Sequence, residues 1–232
     1  MNRLPILGLA LVSCAAAAVA QASDLAREQR LAEQTVDAIF DGEPVFLDAA
    51  GPEFLSIYME AQPAPDNRGV LDLHGPGFHP DWEQVARPLR VGLTEHGWNT
   101  LSLQMPVLDK EAKYYDYIAV FPEAIPRIEA GIRYLKEQGN DTIVLIAHSC
   151  GVHMSMEWVR QTDAPGIDGY VGIGMGATDY QQPMPEPFPF GKLKVPVLDI
   201  YGERDDPAVF TGALERGEAV QSAGNQPSRH TP

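Results

Sequence analysis

One run constrains this chain more than any other. Thr142-Ile143-Val144-Leu145-Ile146-Ala147 is apolar nearly throughout and passes without a spacer into His148-Ser149-Cys150-Gly151 and a helical segment carrying Met154 and Trp158. An unbroken apolar strand is what a parallel sheet covered by helices on both faces requires. A strand that turns directly into a helix brings the neighbouring strand and helix so close that positions two before and two after the turning residue must be small. Ala147 and Gly151 meet that condition around Ser149.

The surrounding texture agrees. Leu25, Leu31, Ala32, Thr35, Val36, Ile39 and Phe40 recur at helical spacing and predict an opening amphipathic helix. Pro44–Leu47 and Glu53–Met59, joined by Ala50-Gly51-Pro52, predict an antiparallel hairpin. From Gly69 strands and helices alternate. Strands are expected at Gly69–His74, Thr100–Met105, Tyr170–Met175 and Val195–Tyr201, with helices opened by Asp81 and near Pro122 and closed by Gly97 and Gly139. Strand, helix, strand at this spacing means right-handed crossovers in an α/β sheet. The proline-rich stretch from Asp179 to Leu193 reads as an extended connection, with Phe188 and Phe190 either lining a pocket or packing on the sheet edge.

The small-x-Ser-x-small pattern at a strand-to-helix junction is that of a nucleophile elbow. Such a turn lifts the Ser149 hydroxyl off the sheet and aims the Cys150 N–H and the positive end of the helix at a developing oxyanion. A second oxyanion donor is expected in His74-Gly75-Pro76-Gly77. Pro76 has no N–H, and Gly77 is preferred over Gly75. Gly202-Glu203-Arg204-Asp205 follows a late strand and puts Asp205 on the same sheet edge as Ser149, while Asp206 is expected to cap a helix from Pro207. Catalytic triads of this kind run serine, acid, histidine, and the one histidine after Asp205 is His230. No strand is expected between Ala213 and Arg229, so His230 reads as a tail residue. Tyr114, Tyr115 and Tyr117 follow a strand's carboxyl end and are expected at the rim of the cleft. Cys150 carries a competing reading as a redox thiol at a helix N-terminus, against the preferred one of a small residue that fills the elbow. His74, His79 and Asp81 do not complete a metal site, and no Gly-x-Gly-x-x-Gly turn or phosphate loop is present, so neither metal nor cofactor is expected.

Composition bounds the partners. With 17 basic and 32 acidic residues the formal charge is −15, which disfavours nucleic acid and anionic membranes. Arg3, the apolar Leu4–Val12 and Ala20-Gln21-Ala22 before Ser23 have the layout of a signal peptide over residues 1–22, leaving 23–232 as one domain in the periplasm or outside the cell. Leu11-Val12-Ser13-Cys14 offers the rival layout of a lipid anchor at Cys14. Without residues 1–22, Cys150 is the sole cysteine.

Leu71-Asp72-Leu73-His74-Gly75, His79-Pro80-Asp81-Trp82, Gly97 through Pro106 and Ala147-His148-Ser149-Cys150-Gly151 together resemble an uncharacterised family of proteobacterial envelope proteins. The resemblance runs from about Gly42 onward. It implies an α/β-hydrolase-like fold and export, without a substrate. It also implies a further strand, a Gly-x-x-His turn and a closing helix beyond a segment like Ala223-Gly224-Asn225. These are expected to be missing here, so either the chain is truncated or Ser149 has no base, and an unpaired sheet edge is expected. Two functions stay open: a serine hydrolase of a small-molecule ester, thioester or similar acyl bond, and a non-catalytic envelope binding protein on the same scaffold.

Overall fold

The structure, a computed structural model, describes residues 23–49, 51–62, 67–178, 187–224 and 229–231. The expected leader and Cys14 lie outside the described residues.

The hairpin forms as expected, β1 (Glu43–Leu47) pairing antiparallel with β2 (Phe54–Met59). The other strands are β3 (Arg68–Leu73), β4 (Asn99–Leu103), β5 (Thr142–His148), β6 (Gly169–Ile173), β7 (Val197–Ile200) and β8 (Arg229–Thr231). They form one sheet in the order β1-β2-β4-β3-β5-β6-β7-β8, parallel from β4 to β8. Helices are α1 (Leu25–Ala38), α2 (Ala86–Thr94), α3 (Phe121–Glu137), α4 (Cys150–Thr162), α5 (Pro207–Thr211) and α6 (Ala213–Ser222), with a 3-10 turn over Tyr114–Val120 leading into α3.

The two faces of the sheet are told apart by alternation along β3 and β4. Leu71, Leu101 and Leu103 are fully buried. Gly131 of α3 lies so close that a Cβ there would stand 2.6 Å from Leu71 Cδ1, so α3 covers this face. Thr100, Ser102 and Asp72 point the other way, where Thr100 Oγ1 donates to Arg90 O of α2 at 3.0 Å. The crossover from β3 through α2 to β4 and the one from β4 through α3 to β5 run in opposite directions across the sheet, so equal handedness puts α2 and α3 on opposite faces. Each Leu or Ile so buried contributes about 1.5–3 kcal/mol.

Three expectations are corrected. Asp81 does not cap α2, whose N-cap is Val85 without a side-chain hydrogen bond; its carboxylate instead pairs with Arg87 and the buried Arg90. Two guanidiniums outcompete one backbone N–H for an ionised oxygen pair. Phe40 lies beyond the end of α1 and is 98% exposed, because the helix stops at Ala38. A strand does form late in the chain: Arg229–Thr231 pairs in parallel with Leu198–Ile200, covering the β7 edge that was expected to be bare. Such an edge is satisfied by backbone groups alone, so it leaves no apolar pattern in the sequence.

Asp72 is the costly residue of this core. It is 2% exposed, and its partner is Ser102 Oγ at 3.3 Å, while Oδ1 has no hydrogen-bond partner among the described residues. Burial pushes its carboxyl from 3.8 up to about 7, against the Ser102 hydrogen bond and the charge of Arg90. The unfolded chain therefore ionises first, and stability falls as pH rises from about 4 to about 7, then levels. Asp72→Asn is expected to raise thermal stability at pH 8 by on the order of 2–4 kcal/mol and hardly at all at pH 4. Melting curves of both proteins at the two pH values check this; an equal shift at both would refute it.

Candidate active site

The sharp turn exists. β5 ends at His148, α4 begins at Cys150, and Ser149 between them has φ 55° and ψ −116°. That backbone is strained for any residue with a Cβ, at a cost of about 1–3 kcal/mol, and persists only where the surroundings enforce it. Ser149 N donates to Ile173 O at the end of β6 (2.9 Å), which pins the bend to the neighbouring strand. The glycine two positions on is required by close approach. A Cβ on Gly151 would stand 2.7 Å from Leu73 O and 2.8 Å from His74 O, both backbone atoms that cannot yield. Gly151→Ala is expected to cost about 2–3 kcal/mol, and a thermal melt within 1 °C of the parent would contradict the close packing. Ala147 is fully buried between Leu73 and Gly172.

Ser149 is half-buried, and its Oγ shares a hydrogen bond of 3.3 Å with Tyr114 Oη. Of the three rim tyrosines, Tyr114 is thus at the hydroxyl. Tyr117 is buried with its Oη accepting from Leu108 N at 3.2 Å, and Tyr115 is 42% exposed. The redox reading of Cys150 is overturned. Its side chain is fully buried, and burial pushes the thiol up rather than down, opposed by a hydrogen bond with Tyr114. What Cys150 does present is a backbone N–H in the first turn of α4, which has no intrahelical acceptor.

The loop after β3 reaches the elbow from the other side. His74 is locked neutral: Nδ1–H donates to Gly75 O at 2.7 Å, Nε2 accepts from Met105 N at 2.9 Å, and burial drives its pKa down to about 3. Both ring nitrogens are therefore committed to shaping the loop. Gly75 packs on the elbow, its Cβ direction 3.3 Å from His148 Nδ1. Gly77 has φ 70°, and its carbonyl accepts from Arg27 of α1 at 3.2 Å. Its Cβ direction points to Tyr117 Oη at 3.5 Å.

Asp205 follows β7 as expected. Its carboxylate accepts from Asp206 N at 2.8 Å and Gly202 N at 3.3 Å and lies beside Gly174, at 3.8 Å from that residue's Cβ direction. Gly174 directly follows Ile173, the residue that holds Ser149 N. Asp205 and Ser149 thus stand at the carboxyl ends of β7 and β5 with only β6 between them. Asp206 caps α5 as expected, accepting from Ala208 N at 2.8 Å. His148 has its pKa lowered by burial, with the charge of Asp205 opposing. His230 lies in register with Asp199, within the β7–β8 ladder.

Two features were not anticipated. His153, one helical turn after Ser149, is buried, with Nε2 2.8 Å from Ala177 O, and burial lowers its pKa to about 4. Its ring packs against Tyr114, Phe121 and Phe188, and with Phe188, Phe190 and residues of α5 and α6 it lines a cavity of about 270 Å³. The spacing from residue 149 to 153 puts both on one helix face, a signal the sequence already carried. The second is α1, whose polar residues grip the site loops. Among the described residues no cluster of three His, Cys, Asp or Glu side chains could hold a metal ion, and no helix is long and apolar enough to cross a membrane.

Known proteins resemble this arrangement. The family described as "Protein of unknown function (DUF3530)" matches residues 6–124. None of the curated proteins matches the chain. Among solved structures, Est1E from Butyrivibrio proteoclasticus superposes with a TM-score of 0.61 at 15% identity, over 82% of this chain and 88% of that one. An alpha-beta serine hydrolase homologue from Coxiella burnetii gives 0.59 at 15%, over 83% and 87%. An esterase from Pyrococcus furiosus gives 0.61 at 18%, over 84% of each. The fold is that of the α/β hydrolases.

Proposed function

The chain belongs to the DUF3530 family, and from the geometry of its elbow we propose that it is an exported serine hydrolase of small-molecule esters, thioesters or similar acyl bonds. The observation that carries this reading is the strained backbone of Ser149 at the β5–α4 bend, a cost that a mere helix cap would not need. Ser149 Oγ attacks the acyl carbonyl and gives up its proton as the C–O bond forms. The Cys150 N–H, with Gly77 N–H on the facing loop, stabilises the oxyanion; the proton goes to an imidazole that Asp205 orients, and the serine, acid, histidine order makes His230 its candidate. The alcohol or thiol leaves with that proton, and water then hydrolyses the acyl-serine. The cavity beside His153 is suited to an apolar acyl group, and the esterases of this fold lend support at the level of the scaffold. Export to the periplasm or beyond rests on the leader layout of residues 1–22.

One observation favours the second reading, an envelope binding protein on a hydrolase scaffold. His230, the histidine that follows Asp205, is in register with Asp199 inside a strand pair, whereas a base belongs in the loop beyond a strand's end. Covalent labelling by a fluorophosphonate divides the two. A probe adduct on the peptide that contains Ser149 supports the enzyme; an unlabelled, folded protein supports the binder.

A further inference from the structure

Ser23, the residue that follows the expected cleavage site, is held. Ser23 N donates to Glu123 Oε1 at 3.3 Å, in the first turn of α3, and Ser23 Oγ is buried. The contacts that follow all reach the loops at the site. Asp24 N donates to Val107 O at 2.7 Å and Asp24 caps α1. Arg27 donates to Leu108 O and Gly77 O. Glu28 Oε1 accepts from Val107 N at 3.1 Å, and Oε2 pairs with Arg127. The first six residues after the cleavage point thus tie the loop after β4 to the loop after β3.

We propose that hydrolysis of the Ala22–Ser23 peptide bond is a maturation step, and that the Ser23 ammonium it creates is bound by the Glu123 carboxylate and locks α1 across the site loops. Signal peptidase adds water across the bond; Ala22 leaves with the carboxylate and Ser23 keeps a protonated amine. A neutral amide N–H at 3.3 Å from a carboxylate becomes a full positive charge with three N–H groups at the same place, and the hydrogen bond becomes an ion pair. The charged groups around it are already directed elsewhere: Arg27 to two carbonyls, Arg127 to Glu28 and Gln104 O, and Asp24 to Arg27 N. The inference rests on the leader reading and is independent of whether Ser149 is a nucleophile.

The test uses the full gene, expressed with its leader. Intact mass of the exported protein is expected to place its start at Ser23. A variant with Gly-Ser inserted between Ala22 and Ser23 is processed to an amine two residues away and is expected to melt roughly 2–5 °C lower. Glu123→Gln should lower the melting temperature of the Ser23-started form by a similar amount and leave the extended form unchanged, which is the signature of a direct pair. A start at another residue, or an equal effect of Glu123→Gln in both forms, overturns the proposal. Neither readout depends on activity, so a failed labelling experiment at Ser149 leaves this result intact.

Discussion

Replacing Ser149 with alanine is expected to abolish fluorophosphonate labelling and to lower the hydrolysis of a short acyl ester by at least ~10³-fold, with the fold unchanged. Replacing it with glycine is expected to do the same to the chemistry and, in addition, to stabilise the protein by about 1 kcal/mol. The difference comes from the backbone. Alanine keeps the Cβ that makes φ 55° and ψ −116° costly, whereas glycine adopts that conformation freely. The pair of variants therefore separates the hydroxyl from the strain. Loss of labelling in both, with a higher melting temperature for glycine alone, supports a bend maintained for the sake of an exposed nucleophile. Labelling that survives in Ser149→Ala would end the catalytic reading, since the reactive group would then lie elsewhere. A glycine variant no more stable than the alanine variant would show that the turn is relaxed.

The elements that position the site were legible because they leave periodic or steric traces. Apolar β5 required cover on both faces, and Ala147 and Gly151 announced a close approach that the structure realises against Leu73 O and His74 O. The place of Asp205 at the carboxyl end of β7 was legible because a glycine-led turn after a strand has a fixed reach. What escaped notice has no such trace. β8 pairs through backbone groups, so Arg229–Thr231 carries no alternation to read. The pairing of Asp81 with Arg87 and Arg90 looks, in sequence, like an ordinary cap before a helix, and only burial of Arg90 decides the matter. Cys150 differs: a small residue filling the elbow was the preferred reading, and its complete burial, which outweighs the pull of the helix N-terminus on the thiol, agrees with it. Tyr114 reaches Ser149 from a segment 35 residues away, a meeting that no local pattern encodes.

The largest loss of stability is expected from Arg127→Ala. The guanidinium of Arg127 joins three parts of the molecule: it donates to Glu28 Oε2 on α1 at 2.8 Å, to Gln104 O at the end of β4 at 2.9 Å, and lies over the Phe54 ring of β2 at 5.2 Å. Its side chain and that of Glu28 are 6% and 8% exposed. Truncation leaves the Glu28 carboxylate buried with Val107 N as its one remaining donor among the described residues, and a buried charge stripped of its partner costs about 3–5 kcal/mol. Replacing both residues together, Glu28→Leu with Arg127→Met, removes the charge along with its partner and is expected to recover most of that loss, so the double variant should melt well above Arg127→Ala alone. The consequence for the site is mechanical. Val107 and Leu108 are the loop residues gripped by α1, and Arg27 holds Leu108 O and Gly77 O together, so loosening α1 is expected to slow labelling of Ser149 in Arg127→Ala and to restore it in the double variant. If the double variant is as unstable as the single one, the pair holds α1 through something other than charge balance; if labelling is equally fast in all three proteins, the grip of α1 does not shape the oxyanion loop.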